Sequence, residues 1–263
     1  MRPLKTILCV LALTAIAPSI ASAQVLTVGD PKPAYYPSCP SVCHVMPRAT
    51  GYQVRVGTNK SVDTVQKPGS IVAWTLQLGK PGKTQTQFFI NTVLLSPTPQ
   101  ARLTVLKPAG KKKLHYVVVG QSPTMTLTPY LGLTVQFPLP APIEVHKNYV
   151  IAVTTPTWAP VLSETGRGDT SWRNSRAKNN CQPKTYPLPD SSLGMGNSGV
   201  FSCLFTHERL TFNATEITKP GTPVITTPRP TTTTTTTTTT GTDTVPTDST
   251  TTTSTTTTTK PKA

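Results

Sequence analysis

The feature that most restricts the fold is a row of short apolar segments within residues 69–153, each bounded by proline or glycine. Segments of this length are typical of β-strands. In the clearest of them Leu133, Val135 and Phe137 alternate with polar residues. A period of two places apolar side chains on one face of a strand. The pattern predicts an all-β fold: a two-sheet antiparallel β-sandwich, jelly-roll-like or Ig-like, with its core between the sheets.

Other segments give more detailed expectations. In the segment that begins at Ile71, the alternation places Val72 and Trp74 on one face, with Trp74 in the core. A further strand is expected from Phe88 onward, after a Pro-Gly turn. Asn148 lies in a short turn between two strand-like segments, and asparagine tolerates a positive φ better than most residues. We therefore expect Asn148 to adopt that conformation.

The two ends of the chain differ from its middle. Residues 1–23 have a basic start, an apolar stretch too short to span a bilayer, and small residues before Gln24, as in a secretory signal peptide. From residue 221 to 263 the chain consists mainly of threonine and proline, which predicts a disordered tail suited to O-glycosylation. Residues 24–220 are then one disulfide-stapled domain, and the protein is expected to be secreted, extracellular or at the cell surface, with no transmembrane segment after cleavage.

The chain is strongly basic, with a formal net charge of +15. No carboxylate occurs between Asp63 and Glu144, whereas lysines are frequent there and include the run 111–113. Such an excess attracts polyanions at long range. Acidic wall polymers and anionic lipid surfaces fit this charge, and nucleic acid fits it without sequence specificity. The alternative is a solvated basic surface with no specific partner.

Four cysteines follow the proposed signal peptide, and an even number in an exported chain predicts two disulfides. Three pairings are possible. Cys39–Cys43 is favoured because it closes a tight loop around a proline, and Cys181–Cys203 because it ties a long polar loop to the last strands. A zinc site would need a larger group of ligands than Cys39, Cys43 and the adjacent His44. We therefore expect no metal and no other cofactor.

The polar segment 156–199 is the candidate binding region because long loops in compact domains tend to be functional or disordered. Arginine beside tryptophan is typical of surfaces that bind sugars or polyanions. The alternative is a mobile basic loop anchored by Cys181 and one buried tryptophan. The candidate binding residues are Trp158, Trp172, Arg173, Arg176 and Lys178.

Several segments together resemble a functionally uncharacterised β-sandwich domain of secreted actinobacterial proteins. They are Gly-Ser-Ile-Val-Ala-Trp at 69–74, Leu-Thr-Val-Leu-Lys-Pro at 103–108, Tyr-Val-Val-Val-Gly-Gln-Ser at 116–122, Ile-Glu-Val-His-Lys-Asn at 143–148, and the short cysteine pair at 39 and 43. The resemblance covers residues 39–155 and implies a β-sandwich and export, with no catalytic residues. The chain has Asn148-Tyr149 where those proteins often have Gly-Asp, so any role of that acidic residue is lost here.

Three functions are compatible with these observations. The first is a non-catalytic binding or structural module of the cell envelope, acting on anionic polymers. The second is a carbohydrate-binding module in which Trp158, Trp172 and Tyr186 stack on sugar rings. The third is a secreted hydrolase, which a metal centre or a close His–carboxylate pair in a cleft would favour. The sequence assigns no catalytic residue, and it predicts a non-enzyme.

Overall fold

The computed structural model describes residues 22–30, 36–110, 113–182 and 185–220. Most of the proposed signal peptide, the proposed tail at 221–263, and Lys111 and Lys112 lie outside the described residues. The described chain is an antiparallel β-sandwich, which confirms the predicted fold class. Among the described residues, no helix has the length and apolar character needed to cross a bilayer.

The strands, numbered in chain order, form two main sheets. The smaller sheet has the order β1 (Val25–Gly29), β14 (Phe212–Thr218), β3 (Gly69–Gln77), β7 (Thr134–Val145). The larger sheet has the order β11 (Ser198–Val200), β5 (His115–Gln121), β4 (Gln100–Pro108), β8 (Val150–Ala159), β2 (Met46–Val56), β10 (Thr170–Asn174), β12 (Cys203–Thr206), with β6 (Met125–Thr126) paired to β4. A separate two-stranded sheet is formed by β9 (Leu162–Glu164) and β13 (Glu208–Leu210). Short helical turns lie at Lys83–Gln87, Phe88–Thr92, Thr128–Tyr130 and Lys178–Asn180.

The main core lies between the two sheets, as expected. Trp74 of β3 is buried against Phe137 of β7, with ring centroids 5.1 Å apart. Leu103 of β4 and Ile151 of β8 belong to the same buried cluster from the opposite sheet. Burial of each such side chain contributes about 1.5–3 kcal/mol, so this layer is the principal source of stability.

The alternation fails at two positions in these strands. The pairing of β3 with β7 shifts register between Ile71 and Ala73, and such a bulge reverses the alternation of faces. Ile71 is consequently buried, whereas Val72 is only half-buried, so the predicted core position of Val72 is wrong. Leu133 precedes the first residue of β7 and is exposed, so it does not share the buried face with Phe137.

The strand expected from Phe88 is also wrong because the chain is helical there. The turn Lys83–Gln87 begins after Gly82, whose backbone N–H donates to Gln85 Oε1 at 2.8 Å. Phe89 and Val93, four residues apart, then lie on one side of the following turn and pack in a separate apolar cluster. Helical spacing over these few residues was not distinguishable from a short apolar strand.

The turn around Asn148 connects the two sheets and is tied to a neighbouring loop. Asn148 has a φ of 72°, which confirms the expected conformation. Its backbone N–H donates to the Val65 carbonyl at 2.9 Å, and the Val65 N–H donates to the Tyr149 carbonyl at 2.8 Å. The β7–β8 turn and the loop 57–68 are therefore held together by backbone hydrogen bonds.

Both favoured disulfides, Cys39–Cys43 and Cys181–Cys203, are present. Two disulfides are compatible with an extracellular location. The segment 156–199, which we expected to be a long loop, is more ordered than that. It contains the end of β8, the short strand β9 and the whole of β10.

Candidate functional site

The two tryptophans that the sequence proposed as sugar-stacking platforms are buried. Trp158 is 1% exposed, packs against Phe89, and donates its Nε1–H to the Ser96 carbonyl at 2.7 Å. Trp172 is 3% exposed and stacks on Phe205, with ring centroids 4.6 Å apart. Burial leaves neither ring accessible enough to stack on a sugar, so the structure does not support the stacking role expected of them. Of the three proposed platforms, only Tyr186 is exposed.

The two candidate arginines, Arg173 and Arg176, donate hydrogen bonds to backbone carbonyls. Arg173 donates to the carbonyls of Phe201 and Ser202 at 3.1 and 3.0 Å. Arg176 is buried and donates to the carbonyl of Pro47 at 2.6 Å, and burial lowers the pKa of its guanidinium. Lys178 is exposed. These arginines therefore hold segments together, and Lys178 is left as the solvated cation among the candidates.

Trp172 and Arg176 nevertheless line a common cleft of about 300 Å³ beside the β12 edge. His44 and Glu208 also line it, with His44 Nδ1 2.7 Å from Glu208 Oε1. The second oxygen of Glu208 accepts the indole N–H of Trp172 at 2.9 Å. This cleft contains a close His–carboxylate pair, one of the two features that would favour the hydrolase hypothesis. Because 164 positions separate the two residues, sequence spacing gave no signal of the pair.

Within the described residues, a metal centre has no comparable group of side chains to hold it. No group of three or more His, Cys, Asp or Glu side chains in the described ranges has the geometry to hold a metal ion. Cys39 and Cys43, considered above as zinc ligands with His44, form a disulfide instead.

A second candidate region is one end of the sandwich, which we term the basic end. Leu106 near the end of β4 is opposite Val150 at the start of β8, and Val56 at the end of β2 is opposite Thr170 at the start of β10. Gly69 at the start of β3 is opposite both Val145 and Thr218. These registers bring together the loops 57–68 and 165–169, the β4–β5 hairpin, the β7–β8 turn and residue 219.

Each of these segments carries at least one exposed cation. The exposed cations of the basic end are Lys60, Lys67, Lys107, Lys113, Lys147, Arg167 and Lys219. Glu144 forms an ion pair with Lys219, and this contact lowers the pKa of the Glu144 carboxyl. Asp169 also lies in one of these loops. The cations outnumber the carboxylates, so the basic end has a net positive charge.

Other carboxylates in the domain bind interior partners instead of these lysines. Asp63 is 1% exposed and accepts the Gln53 backbone N–H at 2.6 Å, and desolvation raises its pKa. Asp30 forms an ion pair with the buried Arg209 at 2.8 Å. Glu208 is occupied by His44 and Trp172. The acidic residues thus do little to neutralise the exposed lysines.

No protein-family model, curated protein or solved structure matches this chain. The function is therefore inferred from the chemistry of these two regions.

Proposed function

We propose that the protein is a secreted, non-catalytic binding module of the cell envelope that attaches to anionic polymers through its basic end. The observation that supports this is the strand register, which collects exposed lysines from separate loops at one end of the sandwich. The matching loops at the other end carry Lys80 and Lys83. Their charge adds to the long-range attraction, but the contact surface is the basic end.

The chemistry of the basic end favours a polymer over a small anion. An exposed ion pair contributes only about 0–1 kcal/mol, because water competes for both charges. A polymer with regularly spaced negative charges meets several lysines at once, and the small contributions add. Attraction of this kind weakens as salt rises, with a screening length of about 10 Å at 0.1 M.

Neutralising the basic end is expected to weaken polyanion binding at least tenfold at low salt. The test compares the triple variant Lys60→Gln, Lys107→Gln, Lys147→Gln with the matched control Lys80→Gln, Lys83→Gln, Lys178→Gln, which loses equal charge elsewhere. Affinity for polyphosphate and polygalacturonate is measured by titration calorimetry at 50 and 300 mM salt. The affinity of the control variant for each polymer should fall less than threefold. Equal losses in the two variants, or no binding of either polymer by the wild type, would contradict the proposal.

The His44–Glu208 pair supports a second candidate function, a secreted hydrolase. Glu208 fixes the orientation of the imidazole, so His44 Nε2 is the nitrogen available to take a proton from a water molecule. Apolar side chains, including Phe205, line part of the cleft. They would favour a substrate ester or amide that carries an apolar group.

If this second function is present, His44→Gln should lower hydrolysis of a chromogenic ester at least 100-fold, since a general base contributes 10²–10⁴-fold. His207→Gln is the matched control because His207 is an exposed histidine beside Glu208. Turnover is followed by absorbance with acetyl to octanoyl nitrophenyl esters. Failure of the wild type to exceed the buffer rate with every ester would eliminate this candidate.

A further inference from the structure

A polar groove of about 400 Å³ runs beside the edge strand β1 and the loop 57–68. Its polar lining includes Thr27, Asn59, Ser61, Thr64, Gln66 and Glu216. The volume lies within the range of small-ligand sites. The lining is rich in hydroxyl and amide groups, and no aromatic ring is among these residues.

Several of these groups are free to bind a ligand. Within the described chain, the hydroxyls of Thr27, Ser61 and Thr64 form no hydrogen bond with protein groups, whereas neighbouring backbone groups are used. The Ser61 N–H is bonded to Asn59 Oδ1 at 2.9 Å, and this bond holds the loop in its observed conformation. Hydroxyls presented by a fixed loop suit a ligand that itself carries hydroxyl groups.

Glu216 gives the groove a carboxyl group at its inner side. The residue is 1% exposed, and its Oε1 has no hydrogen-bond partner in the described part of the chain. Gly69 packs so closely that a Cβ there would lie 2.7 Å from this oxygen. Burial raises the pKa of the Glu216 carboxyl.

The loop beside the groove also carries cations. Lys60 lies between the lining residues Asn59 and Ser61, and Lys67 follows Gln66. Lys67 is held by a 2.9 Å hydrogen bond to Gln24 Oε1. A ligand in the groove would therefore meet hydroxyl groups and positive charge together.

We propose that the groove binds one sugar unit of an acidic polysaccharide, with the sugar hydroxyls on Thr27, Ser61 and Thr64. The carboxylate of the sugar faces Lys60 and Lys67. This inference rests on the proposed function and specifies the polymer as a polyuronate. Polyphosphate has charge without ring hydroxyls, and single-stranded nucleic acid is usually bound by aromatic stacking, for which this groove has no ring.

The test uses the full chain and the double variant Ser61→Ala, Thr64→Val, which removes two hydroxyls and no charge. Titration calorimetry compares polygalacturonate with polyphosphate and polyglutamate. We expect the variant to lose at least fivefold in affinity for polygalacturonate and less than twofold for the other polymers. The control, Thr84→Val with Thr92→Val, removes two exposed hydroxyls outside the groove and should change none of the affinities.

Two results would overturn the groove proposal while leaving the proposed function intact. One is an unchanged affinity of the double variant for polygalacturonate, and the other is an equal loss for all three polymers. Tighter wild-type binding to polyglutamate than to polygalacturonate, lost in the same variant, would assign the groove to acidic peptides instead. By contrast, if the lysine triple variant binds every polymer as the wild type does, the proposed function itself fails. Unfolding midpoints of all variants confirm that each chain is folded.

Discussion

Replacing Trp172 with alanine is expected to lower the free energy of unfolding by about 3–5 kcal/mol, the usual cost of removing a buried tryptophan. The ring is 3% exposed, stacks on Phe205, and lies so close to Gly51 that a Cβ there would be 3.1 Å from it. Its removal leaves a cavity that the rigid strands of the larger sheet cannot close. Chemical denaturation followed by circular dichroism measures the loss.

Trp172→Phe is a milder change. It keeps an aromatic ring against Phe205 but removes the indole N–H that Glu208 accepts and part of the ring volume, so we expect a smaller loss of about 1.5 kcal/mol. A Trp172→Ala variant with wild-type stability would show that the ring is not part of the core. If Trp172→Ala instead lost binding to an insoluble glycan without any loss of stability, the stacking role that burial argues against would be restored.

The different surroundings of Trp172 and Arg173 in the structure show what local sequence can and cannot predict. The adjacent Trp172 and Arg173 resemble a surface motif, but adjacent residues of a strand point to opposite faces. Trp172 therefore enters the core, whereas Arg173 reaches the carbonyls of Phe201 and Ser202. Which face becomes the interior depends on the partner strands, and these are distant in sequence.

The fold class was predictable because it depends on local periodicity. Trp74, the turn at Asn148 and both disulfides were each expected from nearby residues and are confirmed. The bulge near Val72 was not predictable because it arises from pairing with β7 and β14, and the helical turns after Gly82 have the same short apolar pattern as a strand.

The candidate sites depend even more on long-range pairing. The high frequency of lysine was evident in the sequence. The placement of the lysines at one end of the sandwich follows from strand registers such as Leu106 with Val150. The His44–Glu208 pair joins the segment before β2 to β13, and no motif connects those segments. The charge of the chain is therefore evident from its sequence, whereas the geometry of both candidate sites is not.

Removing the Cys181–Cys203 disulfide by alanine substitution at both positions is expected to lower the free energy of unfolding by about 3 kcal/mol. The bond closes a loop of 22 positions and so restricts the unfolded chain, according to the chain-entropy treatment. Cys203 is also fully buried at the start of β12, so some packing is lost as well. Urea denaturation of the oxidised proteins measures the difference.

The Cys39–Cys43 pair is the matched control because its loop spans only 4 positions, for which the same treatment gives about 2 kcal/mol. Its loss should leave the β10–β12 pairing intact. Equal stability of the wild type and the Cys181→Ala, Cys203→Ala variant would mean that the unfolded chain is already restricted in this region. Selective proteolysis near residue 182 in that variant alone would support the anchoring role.

The backbone hydrogen bonds between Val65 and the turn at Asn148 bear on how a polymer would be selected. Because they lock two lysine-bearing segments to each other, the intervals between their charges are set by the protein rather than by the bound partner. A stiff polymer would then bind well only where its own charge repeat matches those intervals. Under the proposed function, the basic end discriminates among polymers of equal total charge by the spacing between their charges.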